Sequence, residues 1–415
     1  MSCQLEVLRH CFPSSIRPTL EELPEGLDET YERILMKIKR PNKIHSLRLM
    51  QCLVAASRPL QVKELAEVLA FDFNAEGIPR LNASWRCEDQ EEAVMSACSS
   101  LVTIIQDGDS RVVQFSHFTV KEYLTANRLA DPIRPAPFYR IQLEDAHLIL
   151  VRACLGLLLG LDDKVDRDNI EDFPLARYAA QYWATHARFV SSSLIKDEME
   201  RLFDTDKPYF ATWLWIYDDD SVSSTSSMRP EKPKATPLYH AARLGFHDLA
   251  KYLIAKHPEH VNARGGIEIT PMHVAASAGY PDILSLLLEH GAKVDGLGIR
   301  GHTPLHRAAY GGNPEAGRRL IDHDADINAR SIVEWTPLHC AVDFRRAEFV
   351  RMLLERGAEV DAETSSGDTP LHYAAQKDDK EIVGLLLEKG AKVNARDGSG
   401  KTPSPQQDTV ELLSG

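Results

Sequence analysis

The chain has 415 residues, 43% of them hydrophobic, which is enough for roughly three folded units with real cores. Lys and Arg total 48 against 61 Asp and Glu, a formal charge of −13 that repels nucleic acid and anionic membranes unless a local basic stripe reverses it. Seven scattered cysteines (Cys3, Cys11, Cys52, Cys87, Cys98, Cys154, Cys340) form no C-x-x-C pair and fit reduced thiols of the cytoplasm, with the nucleus as the alternative.

The start, Met1-Ser2-Cys3-Gln4-Leu5-Glu6, lacks the basic and apolar regions of a secretory signal, so the sequon Asn82-Ala83-Ser84 is expected to be idle. The longest apolar stretch, Leu148 to Leu161, carries Arg152 and falls short of the ~20 residues of a membrane-spanning helix. No membrane or nucleic-acid partner is expected.

Leu27 to Leu35 has a helical pattern, and Ser46 to Ala56 is a second amphipathic run ended by Arg58-Pro59-Leu60. Val62 to Leu69 and Glu91 to Leu101 follow as helices. Val102-Thr103-Ile104-Ile105, a turn at Asp107-Gly108 and Arg111-Val112-Val113-Gln114-Phe115 then form a hairpin signal. Helices followed by a hairpin predict a winged helix. Such a fold can place a helix in the DNA major groove. The segment Gln61 to Phe73, however, sets Lys63 against Glu64, Glu67 and Asp72, which opposes contact with phosphate.

The motifs Leu23-Pro24-Glu25-Gly26-Leu27-Asp28-Glu29-Thr30-Tyr31, Arg58-Pro59-Leu60 with Glu64-Leu65, Phe115-Ser116-His117-Phe118-Thr119-Val120-Lys121-Glu122-Tyr123-Leu124 and Pro174-Leu175-Ala176-Arg177-Tyr178-Ala179-Ala180-Gln181-Tyr182-Trp183 carry a resemblance. They are similar to the region that follows the NTPase core of fungal NACHT-type (STAND) signalling proteins, which commonly continue into ankyrin repeats. That resemblance implies a nucleotide-sensing role for His117 when an NTPase core is supplied. A P-loop is absent, since the Gly-Lys-Thr at Gly400-Lys401-Thr402 has Ala395 where the first glycine is needed. No cofactor and no hydrolysis are expected of this chain, and His117 is expected to be a packed, hydrogen-bonded histidine. Asp218 to Pro233 is polar and serine-rich, the composition of a disordered linker.

Beyond it the sequence repeats. Thr-Pro begins at Thr236, Thr270, Thr303, Thr336, Thr369 and Thr402, at intervals of 34, 33, 33, 33 and 33, and Asn262, Asp295, Asn328, Asp361 and Asn394 keep step. Thr caps a helix whose first residue is Pro. A break at Gly245, Gly279 or Gly312 precedes a second helix with stripes such as Ile283, Leu286, Leu287 or Ile382, Leu385, Leu386. Gly291, Gly357 and Gly390 then suit a left-handed C-cap, where the third unit has Asp324.

T-P-L-H-x-A-A with a G-A-x-V-N/D-A close resembles the ankyrin repeat, over residues 231–415. That resemblance implies stacked helix pairs, each burying its apolar face against its neighbours. Tyr239, an inserted residue and Pro258 set the first unit apart, while Ser404-Pro405 spoils the sixth. Five full repeats and a partial unit are expected.

His273, His306, His339 and His372 lie one per repeat, roughly 10 Å apart by helix-packing spacing, so hydrogen bonding within the loop is expected in place of metal binding. Asp322, Asp324, Asp326 and Asn328 imitate a calcium loop but lack its glycine and its bidentate Glu.

The expected fold is mainly α: a helical and winged-helix domain at 1–135, a helical extension at 136–217, a linker at 218–234 and repeats at 235–415. No H-E-x-x-H, G-x-S-x-G or cysteine–histidine metal spacing occurs, so a non-catalytic scaffold or adaptor is expected. The alternatives are the regulatory portion of a NACHT-type NTPase and an ankyrin transcriptional co-regulator. The ankyrin likeness places partner contacts on loop tips and the inner-helix face: Ile299, Arg300, His302, Tyr310, Ile332, Val333, Trp335, Asp343, Phe344, Asp368 and Gln376, with Ile267, Ile269, Ser365, Ser366 and Lys377 beside them. Trp335 and Phe344 form its apolar centre, where exposed aromatics dominate binding energy. Their joint replacement by Ala is expected to abolish capture and spare folding.

Overall fold

A computed structural model describes residues 26–75, 77–126, 137–161, 165–166, 169–218, 233, 235–265 and 269–403. The chain divides into two compact units, Met1–Glu231 and Lys232–Gly415. The linker expected over 218–234, the start of the Leu23 motif, Ile267 and Ser404-Pro405 lie wholly or largely outside the described residues.

The first unit begins with helices α1 (Leu27–Lys37), α2 (Lys43–Ala55), α3 (Val62–Val68) and α4 (Gln90–Cys98). Strand β1 (Leu60–Gln61) pairs with β5 (Ser110–Phe115), which pairs in turn with β4 (Val102–Asp107), all antiparallel. A minor ladder joins β2 (Phe71–Asp72) to β3 (Arg80–Leu81). The β4–β5 hairpin turns at Gly108, whose φ of 57° lies in the left-handed region that glycine tolerates best. Leu49, Met50, Leu65, Leu101, Val113, Val120 and Leu124 are buried in this winged helix.

The boundary expected at 135/136 falls inside one compact unit, because α6 (Leu143–Leu158) packs on both α2 and α7 (Ala176–Ala187). The apolar run at 148–161 is thus largely a core helix, with Leu150, Val151, Cys154, Leu155, Leu157 and Leu158 buried. No helix among the described residues is long and apolar enough to cross a membrane. α8 (Lys196–Leu202) and α9 (Tyr209–Asp218) close the unit over an aromatic cluster of Trp183, Phe203, Phe210 and Trp213.

A polar chain crosses this core. The Ser57 backbone N–H donates to the Tyr178 hydroxyl (3.2 Å), which lies 2.8 Å from His186 Nε2, while the Nδ1 atoms of His186 and His147 are 2.9 Å apart. The contacts are met with both histidines neutral, for instance with the hydroxyl donating to Nε2 and His186 Nδ1–H donating to His147. Burial accordingly pushes the His186 pKa down to about 4.

The second unit contains five helix pairs among its described residues: α10 and α11 (Pro237–Leu244, His247–Lys256), α12 and α13 (Pro271–Ala278, Pro281–Glu289), α14 and α15 (Pro304–Gly311, Pro314–Asp322), α16 and α17 (Pro337–Asp343, Ala347–Glu355), α18 and α19 (Pro370–Gln376, Lys380–Glu388). Inner helices pack on inner helices and outer on outer, through buried stripes such as Leu305, Ala308, Ala309 and Ile382, Leu386. Gly245, Gly279 and Gly312 are left-handed as the pattern demands, and Arg345 and Asp378 accept the same conformation at φ 55° one and two repeats later.

Candidate protein-interaction surface

Each inner helix from the second repeat onward starts from Thr-Pro-x-His, with Met272 at the third place in the second repeat and Leu in the others. Thr270, Thr303, Thr336 and Thr369 are N-caps, Pro follows at the first helical position, and the histidine three residues on completes a capping box. The histidine Nδ1 accepts the Thr backbone N–H, at 3.3, 3.2, 3.2 and 3.1 Å along the series. Nε2 therefore carries the proton. It donates 29 residues ahead, to the carbonyls of His302 (3.0 Å), Trp335 (2.9 Å), Asp368 (3.2 Å) and Lys401 (3.2 Å).

The rings are thus struts to the following repeat's loop, with both nitrogens engaged and no lone pair left for an ion. Burial pushes His273, His306 and His339 down to about 4, so these struts are neutral at pH 7. The Asn/Asp series clamps neighbouring turns in the same way. Oδ1 of Asn262, Asn328 and Asp361 accepts the backbone N–H of Lys293, Glu359 and Lys392 (3.0, 2.9 and 2.9 Å), and Asp295 accepts that of Asp326.

These struts fix the loop tips. Every strut carbonyl also accepts the N–H that closes its own loop: Gly298 to His302, Ser331 to Trp335, Thr364 to Asp368 and Asp397 to Lys401 (2.8 to 3.0 Å). Tip joins tip through Ile332 N–H to Arg300 O (3.0 Å), Ser365 N–H to Val333 O (3.2 Å) and Gly398 N–H to Ser366 O (2.7 Å). Arg300 and Glu334 sit at φ 57° and 60° to make these turns.

On this frame Ile299, Ile332 and Val333 are exposed at the tips, Ile332 by 76%. Tyr310 and Phe344 are exposed at the other end of their helices, rings 4.2 Å apart. An eight-residue helix separates tip from helix end by about 12 Å. Trp335 belongs to neither cluster. It is half-buried, edge-on to Tyr373 at 5.1 Å and tilted against His339.

The expected Trp335–Phe344 centre therefore divides into a structural ring and an exposed one. His302 stacks on His306 at 5.1 Å. Asp343 pairs with Lys377 at 3.0 Å, Asp368 accepts from the Ser366 hydroxyl, and Arg300 and Gln376 are exposed. Sequence reasoning missed Tyr373 and the exposed Leu297.

In the first unit, His117 caps α5 (Phe118–Thr125), with Nδ1 2.7 Å from Thr119 Oγ1 and accepting the Thr119 backbone N–H at 3.3 Å. It is hydrogen-bonded as expected but exposed, not packed, and neighbouring Phe118 is 68% exposed. The helix considered for DNA, Gln61 to Phe73, ends at Val68. Val62, Glu64, Leu65, Ala66, Glu67 and Val68 are all buried in it. Glu64 and Glu67 do not face a partner at all: they pair with Arg58 (2.6 Å) and Arg86. Within α3 only Lys63 is partly exposed, and it pairs with Glu171 at 3.4 Å.

The family described as "Ankyrin repeats (3 copies)" matches residues 216–297, 238–331, 294–364 and 331–397, and "GPI inositol-deacylase, winged helix domain" matches residues 31–132. The chain is 31% identical over 296 residues to "Azaphilone pigments biosynthesis cluster protein L" of Monascus ruber, covering 66% of this chain and 61% of that protein. It spans less than two thirds of that relative's length. A 60-residue stretch is 48% identical to mouse "BCL-6 corepressor-like protein 1", covering 14% of this chain and 3% of that protein. The crystal structure of the ankyrin repeat domain of Bcl-3 is 32% identical, covers 41% of this chain and 79% of its own, and superposes with a TM-score of 0.39. The chain thus contains ankyrin repeats, which support a protein-interaction role, and a winged helix domain of the GPI inositol-deacylase type.

Proposed function

We propose that this chain is a non-catalytic scaffold that captures a polypeptide partner across the tips and helix ends of its third to fifth repeats. The observation that carries this reading is the placement of Ile299, Ile332, Val333, Tyr310 and Phe344 in solvent on loops and helix ends held by a full set of internal hydrogen bonds. Large apolar side chains at positions free to be polar are what an interface core uses. Arg300, His302, Asp343, Asp368 and Gln376 supply a polar rim, and Trp335 sets the shape of the floor. The test is co-purification from the native source with two double variants, Ile332→Ser/Val333→Ser and Tyr310→Ala/Phe344→Ala. Loss of the same partner with an unchanged thermal transition supports the reading, and undiminished capture by both variants ends it.

A second reading rests on the exposed pair His117 and Phe118 in the winged helix: the chain acts as the regulatory portion of a NACHT-type NTPase, with His117 facing a nucleotide held elsewhere. Co-purification of an ATPase that is lost on His117→Ala would favour it. The described cysteines, free and mostly buried, fit a reducing compartment, and we place the protein in the cytoplasm with the nucleus as the alternative.

A further inference from the structure

Apart from that surface, potential metal donors converge at one point of the first repeat. Helix α11 ends at Lys256, and the chain enters a 3₁₀ turn, Pro258–Asn262, with His257 at its N-cap. In a 3₁₀ turn residues i and i+3 eclipse, which puts His257 and His260 on one side with Glu259 between them. His257 Nδ1 lies 3.3 Å from Glu259 Oε1, and His260 Nε2 lies 3.8 Å from the same oxygen. The imidazoles stack at 4.9 Å, and the three potential ligand atoms all lie within 4.8 Å of one another. Bonds of about 2.0–2.1 Å in a tetrahedral zinc site set neighbouring donors about 3.4 Å apart, so a modest closure of this cluster produces a coordination shell.

His257 keeps a position that is also His in the second and third units (His290 and His323), but nothing in the repeat pattern asks for Glu259 or His260. Where the other repeats have Gly291-Ala292-Lys293, Asp324-Ala325-Asp326, Gly357-Ala358-Glu359 and Gly390-Ala391-Lys392, the first has Pro258-Glu259-His260. A left-handed residue and a small side chain serve the turn elsewhere; here the turn is given to a proline and two donors. Both histidines are half-buried, which limits their rotamers, while the exposed carboxylate is free to swing.

We propose that His257, Glu259 and His260 form a binding site for a divalent transition metal, with zinc the best match. Two imidazoles and a carboxylate, with a fourth position open to water, are a borderline-soft donor set of zinc type. The same turn ends at Asn262, whose side chain donates to Gly291 O (2.9 Å) and accepts from Lys293 N–H (3.0 Å) in the second repeat. A metal that holds the turn therefore holds the junction between the first two repeats.

The test titrates the full chain, stripped with chelator, with Co²⁺ and follows the visible d–d absorption; Zn²⁺ is then added in a thermal melt. One saturable site is expected in the parent and lost in His257→Ala/His260→Ala. Affinity should fall at least tenfold in either single variant and at least threefold in Glu259→Gln. Zn²⁺ should raise the melting temperature of the parent and leave the double variant unmoved. Circular dichroism of the metal-free proteins checks folding, and if His260→Ala does not fold, His257→Gln and Glu259→Gln carry the comparison. The same Co²⁺ stoichiometry and affinity in parent and variants, or a parent melting temperature indifferent to Zn²⁺, overturns the site.

Discussion

Replacing His306 by Ala removes one complete strut. Thr303 is 2% exposed, and its backbone N–H loses its acceptor, which costs about 1–3 kcal/mol. The Trp335 carbonyl keeps the Ser331 N–H at 2.9 Å but loses the imidazole, about 1 kcal/mol, and the missing ring leaves a void. The sum is about 4 kcal/mol at pH 7.5.

Acid should shrink that gap. Burial holds His306 near a pKa of about 4, against ~6.5 in the unfolded chain. Below pH 6.5 the unfolded state takes up a proton that the fold refuses, so the strut's contribution is whole above 6.5 and falls as pH drops toward 4. At pH 5 the parent has lost about 2 kcal/mol through this group. The deficit of His306→Ala should therefore fall from about 4 to about 2 kcal/mol. Hydrogen exchange of inner-helix peptides, read by mass spectrometry at pH 7.5 and pH 5, measures it within the repeats alone. An equal deficit at both pH values would refute the neutral-strut account.

Three further outcomes follow from the packing. In Gly311→Ala the new methyl would overlap the Ser277 carbonyl oxygen, a backbone atom that cannot step aside, whereas Gly384 in α19 has nothing within 4 Å. The first variant should lose about 2–4 kcal/mol and the second gain up to about 1 in urea denaturation. Burial and the neighbouring Asp326 hold the Asp295 carboxyl above its usual range, so Asp295→Asn should gain a few tenths of a kcal/mol at pH 7 after allowance for solvent screening. That gain should fade as acid protonates the parent carboxyl, which a melt series from pH 7 to pH 3 would show. Tyr178→Phe orphans both the Ser57 N–H and His186 Nε2, and about 2 kcal/mol of first-unit stability should go with it; an unchanged melt would show that water replaces the hydroxyl.

The repeat array was legible in the sequence because its signals are local. Thr-Pro and the histidine three residues on define an N-cap, a first helical residue and a capping-box partner without reference to anything distant. What lay beyond reach was the partner a repeat away. The histidines were expected to bond within their own loop, yet their second bond crosses 29 residues, and the Asn/Asp clamps cross 31. Trp335 looked like a binding residue because Tyr373, the ring that half-buries it, comes 38 positions later in a different repeat. The acidic residues of α3 looked like a barrier to phosphate for the same reason: Arg58 and Arg86, which neutralise them, are contacts of the folded unit.

The division between struts and tips bears on how such a surface binds. Ordering a loop on association costs about 0.5–1.5 kcal/mol for each rotamer-rich side chain immobilised, besides the backbone. Here the backbone part is already met: each tip is closed by its own N–H, held from behind by a histidine and joined to the next tip by a further bond. Ile332 and Val333 are β-branched and stiff at χ1, so little rotamer freedom remains for a partner to remove. Changes to the struts should therefore lower stability and affinity together, while changes to Ile332, Val333, Tyr310 or Phe344 should lower affinity alone. A tip variant that melts early, or a strut variant that binds as well as the parent, would show that this separation does not hold.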